Sequence, residues 1–407
     1  MSNIPKLRFP EFTDAWEKCK LGEVLAERNS QFPKSDKYPL MAFVSGQGIA
    51  DKGERYNRDF LVTDEEGKKY KQTEYNDFIY SSNNLETGSI GLNKYGNACI
   101  SPVYSIFYAK KLADMDCIGQ RLVLRDFVYQ MTRYRQGVVY GQWRIHEKDF
   151  LKLNITLPTL PEQQKIGNLF KQLDRLITLH KRKWDDVILL KKALLQKMFP
   201  KNGSDFPEIR FSEFTDAWEK CKLGEVGKTY TGLSGKTKED FGHGQAKFIT
   251  YMNVFGNPIA SSSGVDRIEI DSRQNEVKFG DVFFTTSSET PEEVGMSSIW
   301  LENTENVYLN SFCFGYRPIK IFDPYFFAFY LRSPSIRAKI ILLAQGISRY
   351  NISKTKMMEQ EISIPTLPEQ QKIGNLFKQL DRLITLHKRQ HEHYQLLKKA
   401  LLQQMFV

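Results

Sequence analysis

Apolar residues recur at intervals of three and four over a long segment in each half of the chain. Such intervals place side chains on one face of an α-helix. Pro161 and Glu162 suit the first turn of such a helix. The pattern predicts one long helix over 158–200 and a second over 364–407. The first apolar stripe consists of Ile166, Leu169, Leu173 and Leu176, and the second consists of Ile373, Leu376, Leu380 and Leu383.

Each predicted helix is about 60 Å long. A helix of this length cannot bury its apolar face against one small domain, so we predict that the two stripes pack together as a coiled coil. Gly167 lies inside the first helix. Because an interior glycine costs about 1 kcal/mol relative to alanine, we expect Gly167 to permit a close contact.

The residues before each helix follow a different pattern. Runs of β-branched and aromatic residues, such as DFIYSS at 77–82, are separated by clusters of Gly and Asn. This pattern predicts β-rich globular domains. The expected fold class is therefore α+β, with two globular domains and two long helices. The predicted segments are a first domain over 1–157, a first helix over 158–200, a second domain over 201–363 and a second helix over 364–407.

Two stretches of the chain occur twice. EFTDAWEKCKLGEV stands at 11–24 and again at 213–226, and PTLPEQQKIGNLFKQLDRLITLHKR stands at 158–182 and again at 365–389. The inserts between these repeated stretches show little resemblance to each other. Uniform drift after a duplication would have blurred all parts equally, so we infer that the repeated stretches do one job twice while the inserts do two different jobs.

Positive charge is concentrated in the two helical segments. The 407-residue chain has a net charge of +10, and residues 161–199 carry nine Lys or Arg against four Asp or Glu, while 368–406 carry seven against three. The inserts are close to neutral, so a nucleic acid would have to meet local basic patches there. The five cysteines form no CxxC pair, which indicates reduced thiols. Without a membrane-length apolar run or a signal peptide, the expected location is cytoplasmic.

Sequence motifs for catalysis are weak. Gly235-Lys236-Thr237 lacks the upstream glycine of a phosphate-binding loop, and no Asn/Asp-Pro-Pro-Tyr/Phe run of an adenine methyltransferase occurs. A nuclease could use Glu276 and Lys278 with Asp266 and Asp271 upstream, but this spacing arises easily by chance in a charged strand. We therefore predict no catalytic residues and no metal site in this chain.

Candidate binding residues precede each long helix. QGVVYGQWRIHEKDF at 136–150 and QGISRYNISKTK at 345–356 both begin with Gln-Gly and then bring aromatic, Arg and amide residues together. Arg and Gln or Asn read base edges, while Lys and backbone donors hold phosphates. Shorter basic runs, at 67–72, 133–135 and 236–240, are weaker candidates. The predicted DNA-binding residues are Lys69, Lys71, Arg133, Arg135, Tyr140, Gln142, Trp143, Arg144, Lys236, Lys238, Ser348, Arg349, Tyr350 and Asn351.

The doubled architecture resembles the specificity subunit of type I restriction–modification systems. The Pro-x-Leu-Pro-Glu-Gln-Gln-Lys-Ile run stands at 158–166 and 365–373, and Trp16-Glu17-x-x-Lys20-Leu21-Gly22-Glu23 with its copy from Trp218 is similar to the opening of that family. The resemblance spans the whole chain.

The resemblance implies that each insert is a target recognition domain that reads one half of a split DNA sequence. It implies that the two long helices pack antiparallel in a pseudo-two-fold arrangement and set the separation of the half-sites. Double-stranded DNA, two methyltransferase subunits and the restriction subunits would be the partners, with no membrane involved. S-adenosylmethionine, ATP and Mg²⁺ would then be bound by the partner subunits and not by this chain.

Two other functions remain open at this level. The chain could be a coiled-coil adaptor whose inserts bind proteins, which footprinting on DNA would distinguish from a sequence reader. It could also be a nuclease, in which case the purified chain with Mg²⁺ would cut DNA.

Overall fold

A computed structural model describes residues 4–46, 48–51, 68–83, 85–137, 143–201 and 204–406. The chain divides into two compact units, Met1–Lys181 with Arg389–Val407, and Arg182–Lys388. These units cut across the four predicted segments, because each long helix begins in one unit and ends in the other. Among the described residues, no helix combines the length and the apolar character that crossing a membrane requires.

The first half of the chain alternates short strands with a few helices before its long helix. Its strands are β1 (Glu17–Lys20), β2 (Leu25–Glu27), β3 (Gln31–Phe32), β4 (Ala42–Val44), β5 (Gly48–Ala50), β6 (Tyr70–Thr73), β7 (Phe78–Tyr80), β8 (Ile90–Leu92), β9 (Ala98–Ile100), β10 (Ser105–Ala109), β11 (Gln136–Gly137), β12 (Trp143–Arg144) and β13 (Asn154–Leu157). Its helices are α1 (Leu21–Val24), α2 (Met115–Leu122), α3 (Arg125–Thr132), α4 (Glu147–Phe150) and α5 (Leu160–Lys197).

The second half follows the same plan with a different insert. Its strands are β14 (Glu219–Lys222), β15 (Gly227–Thr231), β16 (Phe241–Ile249), β17 (Ile259–Ala260), β18 (Val265–Ile268), β19 (Val282–Thr285), β20 (Ser287–Ser288), β21 (Ser297–Trp300), β22 (Val307–Leu309), β23 (Cys313–Pro318), β24 (Tyr350–Asn351) and β25 (Glu361–Ile364). Its helices are α6 (Tyr251–Gly256), α7 (Pro324–Leu331), α8 (Pro334–Ile341), α9 (Lys354–Met358) and α10 (Leu367–Met405), with 3₁₀ turns at Leu223–Glu225, Lys238–Asp240 and Ser262–Gly264.

The repeated stretches close each insert at its base. Strand β1 pairs antiparallel with β13, with Cys19 opposite Ile155, and β14 pairs with β25, with Cys221 opposite Ile362. Each pair joins the strand of the first repeated stretch to the strand that leads into a long helix. The insert is therefore anchored at both of its ends to repeated sequence.

The sheets of the two inserts differ. The first insert contains a four-stranded sheet of order β2-β10-β7-β8 and a three-stranded sheet of order β3-β6-β9, whereas the second contains a five-stranded sheet of order β15-β23-β19-β21-β17 and a three-stranded sheet of order β18-β16-β22. The first core contains a cluster of aromatic rings among aliphatic side chains, in which the rings of Phe107 and Phe150 lie 4.6 Å apart. The prediction of β-rich domains within an α+β fold is confirmed.

Within each unit, the start of one long helix packs beside the end of the other. In the first unit, Lys398 donates to Asp174 at 2.6 Å, and the rings of Phe170 and Phe406 lie 5.9 Å apart. In the second unit, the ring of Phe199 lies 5.8 Å from that of Phe377. Early residues of one helix thus face late residues of the other in both units, which is antiparallel pairing.

The predicted apolar stripes are mostly, but not entirely, covered. Ile166, Leu173, Ile373 and Leu380 are buried, and Leu169, Leu176 and Leu376 are half-buried. Leu383 is 39 % exposed, so its predicted role in sealing the helix pair is wrong. Leu176 has the same spacing from Ile166 and is half-buried, so the exposure of Leu383 reflects the residues packed around this position and not the geometry of the helix.

Candidate nucleic-acid interface

A buried ion pair fixes the start of each long helix. Arg8 donates from two nitrogens to the carboxylate of Glu162, both at 2.7 Å, and Glu162 is fully buried. Arg210 binds Glu369 in the same way at 2.7 and 2.8 Å. The hydrogen bond to Glu162 raises the pKa of Arg8, so this arginine stays charged. Sequence reasoning assigned Glu162 only to the helix dipole and missed Arg8. A sequence signal was present, because an Arg-Phe pair stands shortly before each copy of the first repeated stretch, at Arg8-Phe9 and at Arg210-Phe211.

The glutamine after this glutamate joins each long helix to the insert. Gln163 accepts a hydrogen bond from the Asp114 amide at 3.0 Å and donates to the Pro158 carbonyl at 2.9 Å. Gln370 makes the same two bonds, to the Asp323 amide and the Pro365 carbonyl. Asp114 and Asp323 are the N-cap residues of α2 and α7. The repeated Glu-Gln pair is therefore a clamp that places each insert on its helix.

The predicted close contact at Gly167 is confirmed. A Cβ atom on Gly167 would lie 2.3 Å from Oδ1 of Asp114, and one on Gly374 would lie 2.1 Å from Oδ1 of Asp323. Both distances are far below ordinary contact. Only glycine allows the capped ends of α2 and α7 to rest against the long helices.

In the first unit, the predicted binding residues before the long helix form a tethered hairpin. Strand β11 pairs with β12, with Gln136 opposite Arg144. Arg135 donates to both carboxylate oxygens of Glu86 at 2.7 Å, and the Trp143 amide donates to the side chain of Asn83 at 2.6 Å. The hydrogen bond from Arg135 lowers the pKa of Glu86. Arg135 therefore holds the hairpin, while Trp143 and Arg144 are exposed on it.

The second unit carries a tight turn at the corresponding place. Gln345 and Asn351 exchange backbone hydrogen bonds at 3.0 and 2.8 Å, and β24 pairs with β20. Gly346 has a φ of +142°, and a Cβ atom there would lie 2.0 Å from the Arg349 carbonyl oxygen. Ser348 and Arg349 are exposed at the tip of this turn. Tyr350 is half-buried and Asn351 is exposed at its base.

The basic runs named from sequence separate into exposed and occupied residues. Lys71 is only 5 % exposed and its ammonium donates to the Tyr104 carbonyl at 3.0 Å, so we withdraw it as a DNA contact. Its strand β6 lies in the middle of a sheet, which the run GKKYKQ did not reveal. Lys236 is half-buried and lies 2.9 Å from Asp271. Lys69, Arg133 and Lys238 are exposed, whereas Tyr140 and Gln142 lie outside the described residues.

The carboxylates of the nuclease alternative serve separate structural roles. Asp271 accepts from Arg273 and lies next to Lys236, and these two cations lower its pKa. Glu276 accepts from the Asn306 amide at 2.6 Å. Within the described part of the chain, no three His, Cys, Asp or Glu side chains are grouped as metal ligands would be.

Two half-buried arginines that sequence reasoning missed support the second insert. Arg332 donates to the carbonyls of Ser297 and Val254 at 2.6 and 2.7 Å, and Arg337 donates to those of Gly295 and Val294 at 2.7 and 2.6 Å. Burial lowers the pKa of each to about 10. Arg337 fixes the loop between β20 and β21, whereas Arg332 joins the end of α6 to the start of β21. Strand β20 in turn pairs with the strand of the exposed turn. No sequence pattern around Arg332 and Arg337 indicated that these side chains support the second insert.

Known proteins with the same plan identify the family. The model of the type I restriction modification DNA specificity domain matches residues 13–188 and again 215–393. The chain belongs to this family. Each match contains most of one copy of the first repeated stretch, an insert and most of a long helix. The prediction of a non-catalytic specificity component of a restriction–modification system is confirmed.

Individual members of the family are distant in sequence. The chain is 22 % identical over 435 residues to the type I restriction enzyme MjaVIII specificity subunit of Methanocaldococcus jannaschii, covering 97 % of this chain and 92 % of that protein. It is 24 % identical over 300 residues to the putative MjaX specificity subunit of the same organism, covering 69 % of this chain and 65 % of that protein. The crystal structure of an S subunit of a type I system from M. genitalium shares the fold, with a TM-score of 0.51 and 14 % identity over 99 % of both chains.

Proposed function

We propose that this chain reads a split, asymmetric DNA sequence, one half with each insert, and directs partner subunits to methylate or cleave DNA accordingly. One observation carries the proposal. The Arg–Glu pair and the bonds of the Gln side chain to insert and backbone recur in both units, while the inserts differ in their sheets. Repeated sequence that holds two different inserts in the same way suits two DNA-reading domains that recognise different sequences.

The proposed reading elements are the hairpin before α4 and the turn before α9. Trp143 and Arg144 in the first, and Ser348, Arg349 and Asn351 in the second, are exposed side chains of the types that contact bases and phosphates. Arg135 and Tyr350 act by holding these elements in place. Lys69, Arg133 and Lys238, which are exposed, are proposed as secondary phosphate contacts, whereas Lys236 is paired with Asp271.

The proposed partners follow from the repetition. Two copies of one methyltransferase subunit would meet the two equivalent surfaces of the repeated stretches, and restriction subunits would join that complex. S-adenosylmethionine, ATP and Mg²⁺ would be bound by these partners. Because the target is cellular or incoming DNA, the complex would work in the cytoplasm.

The test is an exchange of one insert. Replacing residues 25–153 by the corresponding insert of another family member leaves the β1–β13 pair intact. Sequencing of methylated adenines in cells that carry the complete system should then show a change in one half of the target and none in the other. A change in both halves, or in neither, would contradict the proposal, and a protein-binding adaptor predicts no change at all.

A further inference from the structure

The outer face of α3 is cationic and aromatic. Arg125, Tyr129 and Arg133 follow one another at intervals of four and are all exposed. Tyr129 is 62 % exposed, and the Arg133 guanidinium lies 4.9 Å from the centre of its ring. Arg125 and Arg133 lie about 12 Å apart along the helix axis. Helix α3 continues through Arg133 directly into β11, the first strand of the proposed reading hairpin.

A groove extends this face at the start of α3. It has a volume of about 450 Å³ between α3 and the end of α10, and its lining includes Arg125, Lys399 and Gln403. Arg121, which also lines it, binds the carboxylate of Asp126 at 2.6 and 3.0 Å and so neutralises that charge. No carboxylate of the described residues pairs with Arg125 or Lys399, so the groove has an excess of positive charge.

The corresponding helix of the second unit lacks this character. Counting from the N-cap residues Leu124 of α3 and Ser333 of α8, the positions of Arg125, Tyr129 and Arg133 are occupied by Pro334, Ala338 and Leu342. All three are exposed, and Leu342 is 83 % exposed. The cationic face therefore belongs to one unit alone.

We propose that the exposed face of α3, together with Lys399, binds the phosphate backbone of double-stranded DNA beside the half-site that the first insert reads. This inference rests on the proposed function and adds a contact that is independent of sequence. Each strand of the duplex carries one phosphate per 3.4 Å of axis, so a face about 12 Å long spans three or four phosphates. Arginines bind phosphate oxygens, and an exposed tyrosine beneath one arginine holds its guanidinium in place.

The asymmetry favours DNA over an acidic protein surface. A methyltransferase subunit that docks twice needs the same surface in both units, whereas the Arg-Tyr-Arg face exists once. A split DNA target differs between its halves, so a backbone contact on one side only suits this partner. The complex would therefore protect DNA further beyond the first half-site than beyond the second.

The test measures the salt dependence of DNA binding by the full chain. Fluorescence anisotropy with a random-sequence duplex gives the slope of log affinity against log salt, to which each phosphate contact contributes about 0.9. The triple variant R125Q/R133Q/K399Q should lose two to three phosphate contacts, and its slope should be shallower by the contribution of those contacts. The loss of affinity between about 50 and 200 mM salt would then be roughly 10- to 40-fold smaller than in the unmodified chain.

Two controls separate a direct contact from general charge and from misfolding. K192Q/K197Q/R382Q removes three exposed cations from the long helices of the second unit and should leave the slope almost unchanged. R125K/R133K keeps the charge and should keep most of the slope. Equal effects of the two triple variants would overturn the inference, because the face would then contribute only to the long-range field.

Three other results would also overturn it. These are an unchanged slope in the first triple variant, loss of methyltransferase binding with normal DNA binding, and no binding of the duplex by the unmodified chain. The sequence methylated in cells by the complete system should be the same for R125Q/R133Q/K399Q as for the unmodified chain. Failure of the proposed function would instead appear in the insert exchange, so the two failures are distinguishable.

Discussion

A phenylalanine just past the end of each long helix occupies a pocket that repeated sequence and insert residues build together, and the insert residues differ between the two units. In the second unit, Phe199 lies within 6.4 Å of the rings of Trp218, Phe326, Tyr330 and Phe377. In the first unit, Trp16 and Phe170 are the only rings at similar distances from Phe406 among the residues that the structure describes. Counting from the N-cap aspartates of α2 and α7, the positions of Phe326 and Tyr330 are occupied by Cys117 and Arg121.

This difference has two consequences. The second pocket is filled with aromatic rings, whereas the first opens into the groove that Arg121 lines. The Trp218 indole also donates to Glu369 at 3.3 Å, while the buried Trp16 indole nitrogen has no hydrogen-bond partner among the described residues. The insert residues thus determine how tightly the end of each long helix is packed, although the repeated sequence is identical. They also produce a surface that differs between the two units next to repeated sequence that is the same in both.

The largest expected effect is the removal of the two phenylalanines. F199A should lower the free energy of unfolding of the second unit by about 4–5 kcal/mol, and F406A should lower that of the first by about 3 kcal/mol. The reason is the larger number of rings that lose a neighbour in the second pocket. Hydrogen exchange measured by mass spectrometry reports each unit separately. Equal losses of protection would mean that Phe326 and Tyr330 add nothing to the pocket.

The second-largest loss of stability is expected when the buried ion pairs are broken. E162Q and E369Q each leave a largely buried arginine without its carboxylate, which should cost about 3 kcal/mol. E369Q should cost more by about 1 kcal/mol, because the Trp218 indole loses a charged acceptor. Denaturant unfolding combined with hydrogen exchange checks both values. E11Q changes an exposed glutamate and should shift the free energy of unfolding by less than about 0.5 kcal/mol. A larger shift would show that the loss of any negative charge, and not the loss of a buried ion pair, explains the effects of E162Q and E369Q.

Replacing the glycines of the long helices should give a smaller difference in stability between the two units. G167A and G374A each place a methyl group against the cap of an insert helix and should cost about 1–3 kcal/mol despite the better helix propensity of alanine. The cost should be greater for G374A, since its Cβ would also lie 2.7 Å from the Phe326 amide nitrogen, compared with 3.0 Å for Gly167 and the Cys117 nitrogen. Thermal unfolding measures the order, and a stabilised G374A variant would contradict the close contact.

The weakest expected contrast concerns pH. The pKa of Glu86 is lowered in the folded chain, so the Arg135 tether contributes stability above the unfolded pKa of Glu, about 4.3, and this contribution is lost as pH falls through the lowered value. Exchange at the amides of β11 and β12 should accelerate there. The turn of the second unit is closed by backbone bonds between Gln345 and Asn351 and should show no matching step. E86Q is the control, because it should remove the step from the first unit.

Local sequence was sufficient for the features that depend on periodicity and repetition. The long helices follow from apolar spacing, and the close contact at Gly167 follows from the cost of an interior glycine. The partner of Glu162 could not be found in this way, because Arg8 stands 154 residues away and meets it only through the fold. The candidate binding residues show the same limit. Lys71 looked like a surface cation until its strand was placed in the middle of a sheet.

The noncontiguous composition of the first unit has a consequence for its synthesis. That unit needs residues 389–406, whereas the second is built from the uninterrupted segment Arg182–Lys388. At translation rates of about 5–20 residues per second, the intervening segment takes roughly 10–40 s to make. During that time the nascent first insert has an empty place for Met405 and Phe406. The part of the protein that is made first is therefore completed last.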